Sequence, residues 1–220
     1  MPCDLGFRSF TEVRIRPPKP LQFRKKVEAP KIDARLLRDI GEEDSEFARW
    51  LKDLDVNPML VKALKQTLAK TPGSGALKFS IKNGNLTASA SFRTEAQKRG
   101  LERTANAVGE RFQMETLKMV AELLGYEVRL VEKYGGFILE GERHDPNSKV
   151  HKYLCIRRSM GVAAIQFEHF SSEKELALEM KKFRALAQKL GVPMDPVGQR
   201  VAGQPIPEGA DHRDFLKEGE

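Results

Sequence analysis

The segment Leu77-Lys78-Phe79-Ser80-Ile81-Lys82-Asn83-Gly84-Asn85-Leu86-Thr87-Ala88-Ser89-Ala90-Ser91-Phe92 decides the fold class. Leu77, Phe79 and Ile81 alternate with polar residues, and after Asn83-Gly84 the alternation resumes at Leu86, Ala88, Ala90 and Phe92. Period-two patterning on both sides of Asn-Gly predicts a β-hairpin, because both turn residues must adopt positive φ. Downstream the period changes. Ala105, Val108, Phe112, Val120 and Leu123 fall near one side of a helix that starts at about Thr94 or Thr104, and Gly125 supplies its stop. Tyr126, Val128 and Leu130 begin a strand, Gly135-Gly136 turns the chain, and Phe137 to Glu140 returns. A loop at 144–148 leads to strands near 150–157 and 161–168, with a turn at 159–161. Ser171 or Ser172 then caps a helix whose Leu176, Met180, Phe183, Ala187 and Leu190 form one stripe, ended by Gly191-Val192-Pro193.

Connections this short demand antiparallel pairing, since parallel strands need long crossovers. The expected architecture is α+β: an antiparallel sheet of hairpins with helices packed on one face, forming a core domain over 73–191. Ahead of it, residues 32–72 read as a small helical subdomain. Asp33 caps Leu36, Leu37 and Ile40; Asp44 or Ser45 caps Phe47, Trp50, Leu51 and Leu54; and Asn57-Pro58 opens a third helix carrying Leu60, Val61, Leu64 and Leu68. Thr71 to Gly75 reads as a hinge. Residues 1–31 read as a basic extended arm with a short strand at Thr11–Arg16, stopped by Pro17-Pro18-Lys19-Pro20. Residues 192–220, rich in proline, glycine and acids, read as a loose tail.

The 220 residues are 40% hydrophobic and 31% charged, which fits a globular protein, and no apolar run approaches a membrane span. Cys3 and Cys155 alone provide no disulfide framework, so a cytoplasmic setting is expected. The formal charge of +7 is unevenly spread. Residues 1–31 hold eight Lys and Arg against three acids, and the segment from 191 onward holds six acids against three bases. Such an arm suits an acidic partner, whether a protein or nucleic acid, and equally suits solubility.

Residues able to carry chemistry do not converge in the sequence. Gly73-Ser74-Gly75 lacks the following Lys-Ser or Lys-Thr of a phosphate loop and leads into a strand. His144, His151 and Cys155 could approach one another, but no CxxC or HExxH accompanies them, and His169 and His212 stand apart. Cys155 has Arg157, Arg158 and His151 nearby, as a nucleophile would need, yet Leu154-Cys155-Ile156 reads as strand interior. Glu140 and Glu142 share a strand face, an arrangement that more often is a solvated surface than an acid–base pair. No catalytic residue, cofactor or metal is therefore assigned.

The stretch from Leu77 to Arg143 nevertheless resembles a known family. The matching features are the strand pair Leu77–Phe92, then Glu110-Arg111-Phe112, Gly125-Tyr126-Glu127-Val128, and Gly136-Phe137-Ile138-Leu139-Glu140-Gly141-Glu142-Arg143. They resemble an uncharacterised family encoded in cyanobacteria, plastids and other bacteria, labelled only as a domain of unknown function. The chain departs from it by the arm and helices in front and by the strand pair and helix behind. The resemblance brings no catalytic residues, and implies an accessory role beside an AAA-type ATPase.

The leading expectation is thus a non-enzymatic interaction protein that meets a protein partner through its arm and helical region. The alternative is a nucleic-acid-binding module. Contacts are expected at Arg14, Arg16, Arg24, Lys25, Lys26, Arg111, Lys152, Arg157 and Arg158, and an exposed sheet edge could pair in a homo-oligomer.

Overall fold

The computed structural model describes residues 6–15, 31–82, 85–133, 135–144, 150–159 and 162–203. In chain order the elements are β1 (Phe7–Ile15), α1 (Ala34–Glu43), α2 (Ser45–Asp53), α3 (Asn57–Lys70), a 3-10 turn at Ser74–Ala76, β2 (Lys78–Lys82), β3 (Asn85–Ser89), α4 (Glu95–Leu123), β4 (Glu127–Lys133), β5 (Gly136–Arg143), β6 (Lys152–Ser159), β7 (Val162–Phe170), α5 (Glu173–Lys189) and β8 (Met194–Ala202). Among the described residues the strands form a six-stranded antiparallel sheet in the order β4-β5-β6-β7-β1-β8 and a separate two-stranded ribbon, β2-β3. The class is α+β.

The chain divides into two compact units, one of Met1–Ile15, Ala121–Arg184 and Met194–Glu220, the other of Arg16–Val120 and Ala185–Pro193. In the first, the large sheet buries one face. Val13, Leu139, Leu154, Ile156, Ala163, Ile165 and Phe167 line it, and Leu176 and Phe183 of α5 lie in the same core. Phe183 meets Phe167 edge-on at 5.7 Å between centroids, a favoured geometry for aromatic pairs. Leu176 and Phe183 of the α5 stripe are therefore on its sheet-facing side.

Two expectations about the chain ends are corrected here. The arm contributes β1, an interior strand with β7 on one side and β8 on the other. Its alternation is what the sheet requires: Ser9, Thr11 and Val13 are buried while Phe10, Glu12 and Arg14 are exposed. Part of the expected loose tail is β8, which pairs with β1. Pro196 is tolerated there because β8 is an edge strand and because Val197 is an extra residue where the register shifts between Glu12 and Val13. Residues 16–30 and 204–220 lie outside the described residues. A second bulge sits at the other end of β1, where Phe7 opposes Phe170 and Ser9 opposes Phe167. His169 occupies it with φ 65°, a left-handed conformation that histidine adopts more readily than most residues.

In the second unit Asp33 accepts from the Arg35 amide at 2.9 Å and Asp44 from the Phe47 amide at 2.9 Å, capping α1 and α2. Leu36, Ile40, Ala48, Leu51, Leu60 and Ala63 are buried. The expected hinge is an ordered turn, in which Gly73 takes φ 77° and the Ser74 hydroxyl donates to the Leu68 carbonyl at 3.1 Å. The predicted hairpin forms in register from Lys78↔Ser89 to Lys82↔Asn85, although Asn83 and Gly84 lie outside the described residues. It is a ribbon by itself and no part of the large sheet.

Both long helices end as the glycines predict. Gly125 at φ 86° and Gly191 at φ 83° allow the Tyr126 and Val192 amides to reach back to the Ala121 and Ala187 carbonyls at 3.0 and 2.8 Å.

Candidate functional site

Opposed residues of an antiparallel sheet share a face, so the register fixes what the large sheet presents on its other side. One row crosses all six strands: Arg129, Glu140, Cys155, Gln166, Phe10 and Arg200. The next row is Val131, Ile138, Arg157, Ala164, Glu12 and Gly198, and on the other side lies Glu127, Glu142, Tyr153 and Glu168. Arg129, Glu140, Glu12, Arg157, Arg14 and Arg200 are exposed. Phe10 is 45% exposed, a large ring open to solvent in the middle of a strand.

Charge on this face is mixed but ordered. Glu127, Glu142 and Glu168 surround the Tyr153 row, whereas Arg157 and Arg14 lie toward the opposite end of their strands. Burial first, then Cys155, Glu140 and Glu168, push the Tyr153 phenol well above its usual pKa, so it is a neutral hydroxyl at physiological pH. Glu168 accepts from the Gln166 amide at 2.5 Å. At the β7-β1-β8 side a cleft of about 340 Å3 is lined by Arg8, Ser9, Phe10, Gln166, Arg200 and Ala202. It sets an exposed ring between two guanidinium groups.

The covered face carries its own polar cluster. Arg143 donates to the Glu179 carboxylate at 2.8 Å and to the Leu124 carbonyl at 2.7 Å, and its guanidinium stacks 4.8 Å from the Tyr126 ring centroid. Burial opposes its charge, but Glu179 and Tyr126 more than compensate and hold its pKa above the ordinary arginine value. Burial and the neighbouring Glu179 raise the Tyr126 pKa as well. One strand over, Lys152 pairs with Glu175 and lies 5.5 Å from the Phe170 ring centroid. Glu175 loses solvation by burial, yet the bonds from Lys152 and Ser171 keep its pKa below the usual carboxylate range. Glu175 and Glu179 are one helical turn apart on α5, and Arg143 opposes Lys152 in the sheet. The cluster clamps helix to sheet.

The contact residues expected from sequence separate accordingly. Arg14 and Arg157 stand exposed on the open face. Lys152 and Arg158 are 7% and 5% exposed on the covered face, so they cannot serve as surface contacts. The physical reason is strand parity: Arg157 and Arg158 are consecutive and must point to opposite sides. Arg111 is on α4 in the other unit, where it donates to the Lys70 carbonyl at 3.3 Å. Arg16, Arg24, Lys25 and Lys26 lie outside the described residues.

His144 and His151 approach to 3.3 Å, and His169 Nδ1 lies 3.2 Å from the His151 carbonyl. Among the described residues no group of three or more His, Cys, Asp or Glu could hold a metal ion. Cys155 is buried. Residues that the sequence reading missed are Arg8, Phe10, Gln166 and Arg200. Their signal was the alternation of residues 8–14, which continues three residues further toward the N-terminus than the strand read there; their strand partners lie far away in sequence. No helix of the described residues is long and apolar enough to cross a membrane.

No family model, curated protein or solved structure matches the chain.

Proposed function

We propose that this chain is a non-enzymatic accessory protein of the cytoplasm that receives a protein partner on the open face of its six-stranded sheet. One observation carries the reading: a row on this face crosses every strand and sets exposed Phe10 in line with exposed Arg129, Glu140 and Arg200, groups of both signs. Interfaces draw affinity from aromatic and arginine anchors ringed by polar groups, and charge of alternating sign selects a complementary protein surface. Nucleic acid is the poorer fit to this face, because Glu12, Glu127, Glu140, Glu142 and Glu168 would meet its phosphates. Part of the expected arm remains in the proposal, since β1 supplies Phe10 and Arg14. An ATPase is a partner to look for, on the strength of the resemblance over residues 77–143.

A photo-reactive amino acid at position 10 or 157 tests the idea in native extract, with position 42 on α1 as the control. The expected result is one protein adduct, in near-stoichiometric yield, from positions 10 and 157 and none from 42. Equal labelling at all three positions, or adducts to nucleic acid at position 10, would refute the assignment.

A further inference from the structure

The second unit contains a surface of different character. From Val56 through Thr94 the sequence has no Asp or Glu, while Lys62, Lys65, Lys70, Lys78, Lys82 and Arg93 give it six positive charges. At the average for the chain, 31 acids in 220 residues, such a stretch would carry about five. The acid-free run includes α3 and the β2-β3 ribbon and ends at the first turn of α4. On one side of the ribbon Lys78 opposes Ser89 and Ser80 opposes Thr87, and the two hydroxyls of the latter pair lie 2.7 Å apart. Lys78, Ser80 and Ser89 are exposed and Thr87 is half-buried.

Where the ribbon leads into α4 a groove of about 470 Å3 opens, lined by Ala76, Ser91, Phe92, Arg93, Gln97, Gly100 and Leu101. Phe92 is 44% exposed. Its loop is held in place: the Gln97 side chain accepts from the Arg93 amide at 2.9 Å, and Thr94 caps the helix by accepting from the Gln97 amide at 3.2 Å. Lys98 lies 5.8 Å from the Phe92 centroid, and Arg93, Arg99 and Arg103 are exposed nearby in sequence. Among the described residues these three arginines pair with no carboxylate. No acid lines the groove itself; Lys98 meets the exposed Glu95 at 3.7 Å, a surface pair that a phosphate can displace. A ring fixed beside cations is the pairing that single-stranded nucleic acids use, with bases stacking and phosphates neutralised.

We propose that this groove binds single-stranded nucleic acid, one base on Phe92 and the flanking phosphates on Arg93, Lys98, Arg99 and Lys78. The site uses no residue of the sheet face. Neutralising about four phosphates gives a log–log salt slope of about −3, so affinity should fall about fiftyfold between 50 and 200 mM salt.

The test uses the full chain with fluorescent 12-nucleotide oligo(U), oligo(dT) and a mixed-sequence duplex in anisotropy titrations. Single strands should bind with the steep salt slope. Phe92→Ala should weaken them about tenfold with the slope unchanged, and Phe92→Trp should retain binding. Phe92→Leu keeps an apolar side chain and should weaken binding as alanine does, which separates lost stacking from lost folding. Arg93→Gln, Lys98→Gln and Arg99→Gln together should flatten the slope by about 2. The comparison of oligo(U) with oligo(dT) distinguishes RNA from DNA, and preference for either supports the site. No binding at 50 mM salt would overturn it. So would duplex binding as tight as single-strand binding with Phe92→Ala silent, or equal displacement by a polyglutamate peptide, which would mark an acidic protein as the occupant.

Discussion

The clamp between α5 and the sheet makes the sharpest energetic prediction, because its two charges are unequally buried. The Glu179 side chain is 8% exposed and that of Arg143 is 21% exposed. Replacing Arg143 by Met strands the more deeply buried charge and removes the donor to the Leu124 carbonyl. Breaking a buried pair from one side costs about 3–5 kcal/mol, and the low end of that range applies because both groups retain some solvent. Glu179→Gln leaves an amide oxygen that can still accept from Arg143, and leaves a guanidinium with partial access to water and the Tyr126 face. Exchanging an ion pair for a hydrogen bond in which only the guanidinium is charged costs about 1–2 kcal/mol. The order is therefore Arg143→Met worse than Glu179→Gln, by at least about 1 kcal/mol. The double variant should be less unstable than the sum, with a coupling of about 1 kcal/mol or more, since once one partner is gone the other has no pair to lose. Urea unfolding followed by far-ultraviolet circular dichroism measures all four members of the cycle. If Glu179→Gln proved the costlier change, or if the effects added within about 0.5 kcal/mol, the clamp would not be a paired interaction and the burial argument would fail.

Three further outcomes are expected. Glu175 has a depressed pKa in the folded protein, so its contribution is complete above the unfolded carboxylate value of about 4.3 and disappears as pH falls through the lower folded value. The stability gap between wild type and Glu175→Gln, read from unfolding midpoints, should be constant from pH 6 to 8 and shrink below about pH 4.3; a gap that widens in acid contradicts the sign. The Thr11 hydroxyl is buried without a hydrogen-bond partner, so Thr11→Val should raise stability by about 0.5–1 kcal/mol, and a measured loss would mean that the hydroxyl has a partner in solution. A Cβ on Gly136 would come 2.6 Å from the Arg158 carbonyl oxygen. Because backbone cannot step aside as a side chain can, Gly136→Ala should cost about 1–3 kcal/mol, and a neutral melting temperature would be inconsistent with this close approach.

The parts of the fold legible in the sequence are those built from neighbours. The ribbon, the meander β4-β5-β6-β7 and the stops at Gly125 and Gly191 each depend on turn chemistry and periodicity within a few residues, and each was readable there. What could not be read was the pairing of β1 with β7 and β8, which joins residues near 10 with residues near 165 and 200. Period-two alternation announces a strand without naming its partner. Proline and acid content, the marks of a loose tail, described Met194–Ala202 correctly as composition and wrongly as structure, because an edge strand with a bulge accommodates both. The functional reading suffered in the same way. Arg157 and Arg158 are equivalent by composition, and only the pleat, fixed by pairing with β5 and β7, sends the first to solvent and the second to the core.

Counting basic residues along the chain says nothing of the acids that the fold sets beside them. The arm concentrates cations, but the strand it contributes delivers Arg8 and Arg14 to a face where Glu12 and the glutamates of neighbouring strands alternate with them. In the other unit no single stretch is dense in charge; what distinguishes it is the missing acid from Val56 to Thr94. At physiological ionic strength charges interact over about 8 Å, so a glutamate on an adjacent strand cancels an arginine, whereas the sparse cations of the acid-free run keep their field. For recognition of phosphates the relevant quantity is net charge within a Debye length, and by that measure the ribbon, with Lys78 and no acid, is better placed than β1, where Glu12 lies between Arg8 and Arg14.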